Sequence, residues 1–319
     1  MSEQILIIGA GAVGQVYGYY LAKGGAKVQF HVREKYRDGL TQGCVLHQLS
    51  MIRKPVSRVW RNYTLSSTLA ELKTQRWDQV WLAVPSTALR ESSLMDVLRE
   101  TGDALVVMLQ PDINDQDLLQ HALPGRQIVQ GLINLISFQS PLPTCTDLPE
   151  GIAYLLPPAP QPFSGPAAQQ CVQALKHGGM RARVVASVSA VAGPGAALLQ
   201  TCVAVLETVD WAFAQLRDES AALAADSARE VIALLQPQTI NHRALHWVSR
   251  PWALRLLLSA GQRWLPFNFE RYMHYHFSKV GAQTRLMLES WQHEARRQGQ
   301  TTPALDTLIA QLDARRASH

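Results

Sequence analysis

Four apolar residues, Ile5-Leu6-Ile7-Ile8, pass without a break into Gly9-Ala10-Gly11-Ala12-Val13-Gly14. A buried strand that ends in this glycine spacing and continues into a helix forms the turn that holds the diphosphate of a dinucleotide. Each glycine answers a separate demand. Gly9 permits the tight turn, Gly11 lets the backbone come close to a diphosphate, and Gly14 lets the helix press on the strand. Gly9, Ala10, Gly11, Ala12, Val13 and Gly14 are therefore expected to form an anion cradle, with the N–H groups and dipole of the helix start facing the charge.

The flanking sequence meets the motif's requirements. Val16, Tyr17, Tyr20 and Leu21 recur at helical spacing up to the helix-ending Lys23-Gly24-Gly25, and Lys27-Val28-Gln29-Phe30-His31-Val32 alternates as a second strand. A β-α-β unit of about thirty residues results. The end of its second strand selects the dinucleotide, because a ribose 2′-OH calls for a carboxylate there and a 2′-phosphate calls for cations. Arg33 stands at that place, with Lys35 and Arg37 just behind it. A guanidinium can grip a phosphate with two parallel hydrogen bonds while an ammonium adds a point charge, so NADPH is the expected cofactor. Glu34, turned inward, would instead meet a ribose, and a solvated charge cluster is the plainer alternative.

With 319 residues and 47% hydrophobic content the chain can fill two cores. Its formal net charge of +5 is spread without long like-charged runs, which suits a small anionic ligand better than nucleic acid. Cys44, Cys145, Cys171 and Cys202 show no C-x-x-C spacing, so no metal site is expected, and reduced thiols in the cytoplasm are the simplest account. The N-terminus lacks the basic start and long apolar run of a signal peptide. Val184 to Leu206 carries no charge over a length that could cross a bilayer. Its polar Ser187, Ser189, Gln200 and Thr201 and the helix-disrupting Gly193-Pro194-Gly195 argue for a buried helix and against a membrane.

Beyond the opening unit, Gln79–Val84, Ala104–Leu109 and Gln127–Ile133 read as further buried strands. Ligands in such sheets lie past the carboxyl ends of the strands, which places Pro85, Ser86, Gln110 and Asn134 near the cofactor. A proline-rich stretch from Ser140 to Pro166 contains Ile152–Leu156, which resembles an edge strand. From about Ser187 the pattern becomes helical, with Ala196–Arg217, Ala221–Leu235, Ala253–Trp264, Arg285–Gln298 and a last helix after Pro303. The expected class is α/β: a Rossmann-type doubly wound sheet in residues 1–185, then an all-helical substrate or dimerisation domain in residues 186–319.

The order of elements, the Gly9 to Gly14 turn, Arg33 and the closing Thr302-Pro303-Ala304-Leu305-Asp306-Thr307-Leu308 resemble the ketopantoate reductase family. The resemblance implies NADPH-dependent reduction of 2-dehydropantoate or a related 2-oxo acid, a small anionic carbonyl compound. It also exposes departures. Pro85 stands where the family has a Lys, and Gln110-Pro111 where it has Asn-Gly. No Lys occurs between Lys176 and Lys279 to match the family's catalytic Lys, its acidic residue falls near Gln283, and its substrate-binding Ser near Arg271.

Reduction of a ketone needs a proton for the developing alkoxide. Arg271-Tyr272-Met273-His274-Tyr275-His276 offers substitutes, and on a helix Tyr272 shares a face with His276 and Arg271 with Tyr275. Arg271, aided by Tyr272, could hold a carboxylate while His276, His274 or Lys279 supplies the proton; ordinary packing and surface placement is the competing account. The stretch from His242 to Arg271, with His246, Trp247, Arg250, Trp252, Arg255, Arg263 and Trp264, fits a pocket wall or a homodimer interface. Two functions stay open at this level: an NADPH-dependent oxidoreductase, or a catalytically silent NADP(H)-binding sensor or assembly protein.

Overall fold

Strand β1, Gln4–Ile8, is apolar on both faces, and that places it in the middle of a sheet covered on both sides. Ile5 and Ile7 join one buried cluster with Val16, Tyr17 and Leu21 of helix α1, Ala12–Lys23, whereas Leu6 and Ile8 join another with Leu72, Leu89, Leu94 and Leu98. Each such side chain contributes about 2 kcal/mol on leaving water. The computed structural model describes residues 2–145, 148–216, 218–235 and 250–318. By contacts the chain divides into two units, Met1–Val188 and Ser189–His319.

The first unit contains β1, β2 (Lys27–His31), β3 (Cys44–Gln48), β4 (Val56–Trp60), β5 (Thr64–Ser66) and β6 (Gln79–Leu82). It continues with β7 (Leu105–Met108), β8 (Ile128–Gly131), β9 (Ile136–Ser140), β10 (Gly151–Leu155), β11 (Gln161–Ser164) and β12 (Ala182–Val184). The main sheet has the order β12-β11-β8-β7-β6-β1-β2-β5. All its pairings are parallel except β11 with β8. Parallel β1, β2 and β6 are joined through crossovers, so their carboxyl ends open on the same edge, where α1 begins.

A second sheet, β4-β3-β10-β9, is absent from the sequence expectations. It corrects one of them: the apolar run at Ile152 is no edge strand, because β10 lies between β3 and β9. The burial of Ile152, Ala153, Tyr154 and Leu155 is that of an interior strand; the surrounding prolines lie outside it.

The described residues of the second unit form helices and no strand. Its first helix, Val188–Thr208, starts eight residues before the expected Ala196 and runs through Pro194. The proline removes one N–H from the ladder, but the buried face from Ala197 to Leu206 holds the helix. It ends before the expected Arg217: Asp210 and Trp211 both adopt left-handed backbone, with φ of 55° and 62°, and Trp211 N–H closes on the Leu206 carbonyl at 2.7 Å. This helix is long and apolar enough to cross a membrane by length and composition alone, and half of its most apolar window is buried inside the protein. Helices Asp218–Leu235, Pro251–Trp264, Phe269–Lys279, Gly281–Arg297 and Pro303–Ala317 follow.

Candidate functional site

The glycine turn is wedged between the ends of β2 and β6. Gly9 N–H donates to the His31 carbonyl at 3.1 Å, and Ala83 N–H donates to the Ile8 carbonyl at 2.9 Å. Gly9 has φ of +97°, and a Cβ there would stand 2.7 Å from the Ala83 oxygen, so both its conformation and its surroundings require glycine. A Cβ on Gly14 would overlap the Gly9 carbonyl, which fixes how closely α1 packs on the turn. Gly11 differs: nothing lies within 4 Å of where its Cβ would be.

Gly11 is also the N-cap of α1, where no side chain caps the helix and no acidic residue occupies the first turn. Gln15 Nε2 donates to the Ala10 carbonyl at 2.8 Å, tying that acceptor to the protein. The result is an open surface of helix-start N–H groups, which fits the diphosphate of a dinucleotide. One glycine escaped the sequence reading. A Cβ on Gly18 would stand 2.8 Å from Phe30 and 3.0 Å from Trp60, and its signal was the spacing of one helical turn beyond Gly14.

Arg33 caps a short 3₁₀ turn, Glu34–Tyr36, immediately beyond β2. Arg33, Glu34 and Lys35 are exposed. The Arg33 guanidinium carbon lies 5.3 Å and the Lys35 ammonium 5.0 Å from the centroid of the Tyr36 ring. Arg37 is committed elsewhere: Nη1 donates to Glu71 at 2.8 Å. Glu71 also accepts from Ser67 and Thr68 N–H at 2.7 and 3.0 Å, completing a capping box. The Ser67 N–H, then Arg37 and Thr68, hold the Glu71 carboxyl down at about 2. Of the three cations singled out in the sequence, Arg33 and Lys35 remain to meet an anion.

Beyond β6, β7 and β8, three of the positional candidates have structural duties. Gln110 is buried and spends its amide hydrogens on the Leu82 and Val84 carbonyls at 2.9 and 2.7 Å, while its oxygen accepts from Leu109 N–H. It thus ties the two strand ends together. Asn134 N–H donates to Gln161 Oε1 at 2.8 Å, and its side chain donates to the Ala159 carbonyl. Pro85 is exposed and precedes the 3₁₀ turn Ser86–Arg90. Ser86 Oγ donates to Asp115 at 2.6 Å, and Arg90 bonds both Asp115 and, at 3.2 Å, Asp112. Both carboxylates are fully buried, and burial pushes the Asp115 carboxyl upward. This network, which fixes the loops after β6 and β7, had no motif to betray it.

In the second unit the residues singled out for substrate chemistry occupy helix Phe269–Lys279, capped by the Asn268 side chain on Arg271 N–H at 3.0 Å. Arg271 is exposed and Tyr272 is buried. His274 stacks on Trp211 at 5.6 Å with 11° between the planes. His276 lies between Tyr272 and Phe277, where burial, helped by the Lys279 charge, brings it down to about 4. That environment favours the neutral ring over the imidazolium. Lys279 sits 3.7 Å above the Tyr275 ring. Elsewhere in this unit Thr284 Oγ1 donates to Gln200 Oε1 at 3.0 Å in a buried setting. His242, His246 and Trp247 of the aromatic, basic stretch lie outside the described residues.

An open, largely parallel sheet whose first strand feeds a glycine turn and helix start defines the Rossmann class of dinucleotide-binding folds. Residues 5–144 match the family model described as ketopantoate reductase PanE/ApbA. That match covers less than half of the chain and lies within its first unit. A 2-dehydropantoate 2-reductase from Geobacter metallireducens has a TM-score of 0.74 at 16% identity, over 98% of this chain and 99% of its own. A PanE/ApbA family ketopantoate reductase from Ralstonia eutropha gives 0.74 at 17%, over 99% of each chain. D-mandelate dehydrogenase, in a ternary structure with NADH and anilino(oxo)acetate, gives 0.72 at 14%, over 99% of this chain and 98% of its own. A comparison with curated proteins gave no match.

Proposed function

We propose that the chain binds NADPH at the Gly9 to Gly14 turn and reduces a 2-oxo acid or related small anionic carbonyl compound. The observation that carries this reading is the pairing of an uncapped, open helix start at Gly11 with two uncommitted cations, Arg33 and Lys35, beyond β2. The turn's amides hold the diphosphate and the two cations the 2′-phosphate. Bound there, NADPH supplies the hydride that reduces a carbonyl carbon. The ligands in the structure of D-mandelate dehydrogenase, NADH and an oxo acid derivative, support a nicotinamide and that substrate class.

The carbonyl oxygen must then take a proton. His274 and Lys279 are the groups assigned to supply it, because the neutral ring of His276 suits a positioning role better. Arg271 is assigned the substrate carboxylate. The four free thiols fit a reducing compartment, the cytoplasm.

The test is a titration with NADPH and NADH followed by an assay of NADPH consumption over a panel of 2-oxo acids and neutral carbonyl compounds. Preferential NADPH binding and substrate-dependent consumption support the proposal. Tight binding without turnover on any compound favours the silent sensor, and preference for NADH points to Glu34 as a ribose ligand.

A further inference from the structure

We propose that Tyr36 sets the preference for a 2′-phosphorylated dinucleotide by holding Arg33 and Lys35 together on its ring as a preformed phosphate site. The inference rests on the NADPH reading and adds to it a residue that the glycine motif does not announce. Tyr36 is 48% exposed. A large ring left this open beside two cations is not core packing, and the centroid distances of 5.3 and 5.0 Å lie within cation–π range.

Two adjacent cations on long side chains would otherwise repel each other and sample many rotamers in water. The ring's π-system attracts each of them, so less freedom is lost when a phosphate arrives. The backbone beneath is fixed as well. Tyr36 N–H donates to the Arg33 carbonyl at 2.9 Å, which sets the turn. The next residue, Arg37, is anchored to Glu71 at 2.8 Å, so the turn cannot drift from the end of β2. The site lies at the adenosine side of the cradle, since His31, two residues before Arg33, accepts the Gly9 N–H. The ligand class is a ribose 2′-phosphate monoester on an adenine nucleotide. Glu34, exposed in the same turn, opposes it and makes a gathered pair of cations more necessary.

Calorimetric titration of 2′,5′-ADP and 5′-AMP into the full chain tests this without reference to catalysis. The wild type is expected to prefer 2′,5′-ADP, and Arg33→Ala to lower that preference about tenfold or more. Tyr36→Leu is expected to lower it about two- to fivefold, and Tyr36→Phe, which keeps the ring, to preserve it. All three variants should melt like the wild type, because the side chains are on the surface. Loss of preference in Arg33→Ala but not in Tyr36→Leu would overturn the platform and leave the NADPH reading standing. Equal weakening of both nucleotides in Tyr36→Leu would also overturn it, by assigning the ring to adenine stacking. A wild type indifferent to the 2′-phosphate overturns the NADPH reading and this inference with it.

Discussion

Gly14 packs so closely on Gly9 that a single methyl group at position 14 would overlap the Gly9 carbonyl oxygen. Helix α1 and the turn before it are therefore one rigid piece, fixed by the absence of a side chain. Gly14→Ala should force α1 away from β1 and cost about 1–3 kcal/mol or more. Thermal unfolding will check this; an unchanged melting temperature would mean that the turn yields easily.

The buried carboxylates Asp112 and Asp115 share one cation, Arg90. Removing a partner from a buried charge network leaves charge uncompensated in a poor solvent. Arg90→Ala is expected to destabilise the first unit by about 3 kcal/mol. Asp115→Asn, which keeps the shape and removes one negative charge, should cost clearly less. Denaturant unfolding of both variants compares the two, and the reverse order would show that the Arg90 network is not what secures these loops.

His276 makes a prediction about pH. Burial holds its folded-state value near 4, below the usual 6.5 of an exposed imidazole. Between those values the unfolded chain binds a proton that the folded chain refuses, so stability falls as pH drops from about 6.5 towards 4. His276→Phe should flatten this limb of a melting-temperature profile. An NMR titration of the imidazole should show a midpoint near 4; a midpoint near 6.5 would restore His276 as a proton donor.

Glu230, in helix Asp218–Leu235, caps another helix. Its carboxylate accepts the Ala304 and Leu305 N–H groups, at 3.0 and 2.9 Å, where helix Pro303–Ala317 begins. A carboxylate there meets the positive end of the dipole and two unsatisfied donors. Glu230→Ala should cost about 1–2 kcal/mol, measurable by denaturant unfolding, with no change in dinucleotide affinity.

The first β-α-β unit was legible because its constraints are local: Ile5–Ile8 must be buried, and glycine is needed where a turn and a close approach coincide. The second sheet was not, because β10 joins β3 in parallel across about a hundred residues, and no short pattern records such a pairing. Pro194 misled for a related reason, since the buried face from Ala197 to Leu206 outweighs a local breaker. At the site, Arg33 and Lys35 could be read from their position after a strand. The commitment of Arg37 to Glu71 could not, nor could the spending of Gln110 on strand-end carbonyls, because both depend on partners brought in by tertiary folding. The His274 to Lys279 segment gave residue types without environments, and burial separates His276 from its neighbours.

If a dinucleotide's diphosphate rests on the bare amides beside Gly11, calorimetric titration of NADPH into the wild type and Gly11→Ala will reveal it. The space around Gly11 predicts that the alanine variant folds and melts like the wild type while its affinity falls about tenfold or more. No heat of binding in the wild type, or equal affinity in the two proteins, would contradict the account.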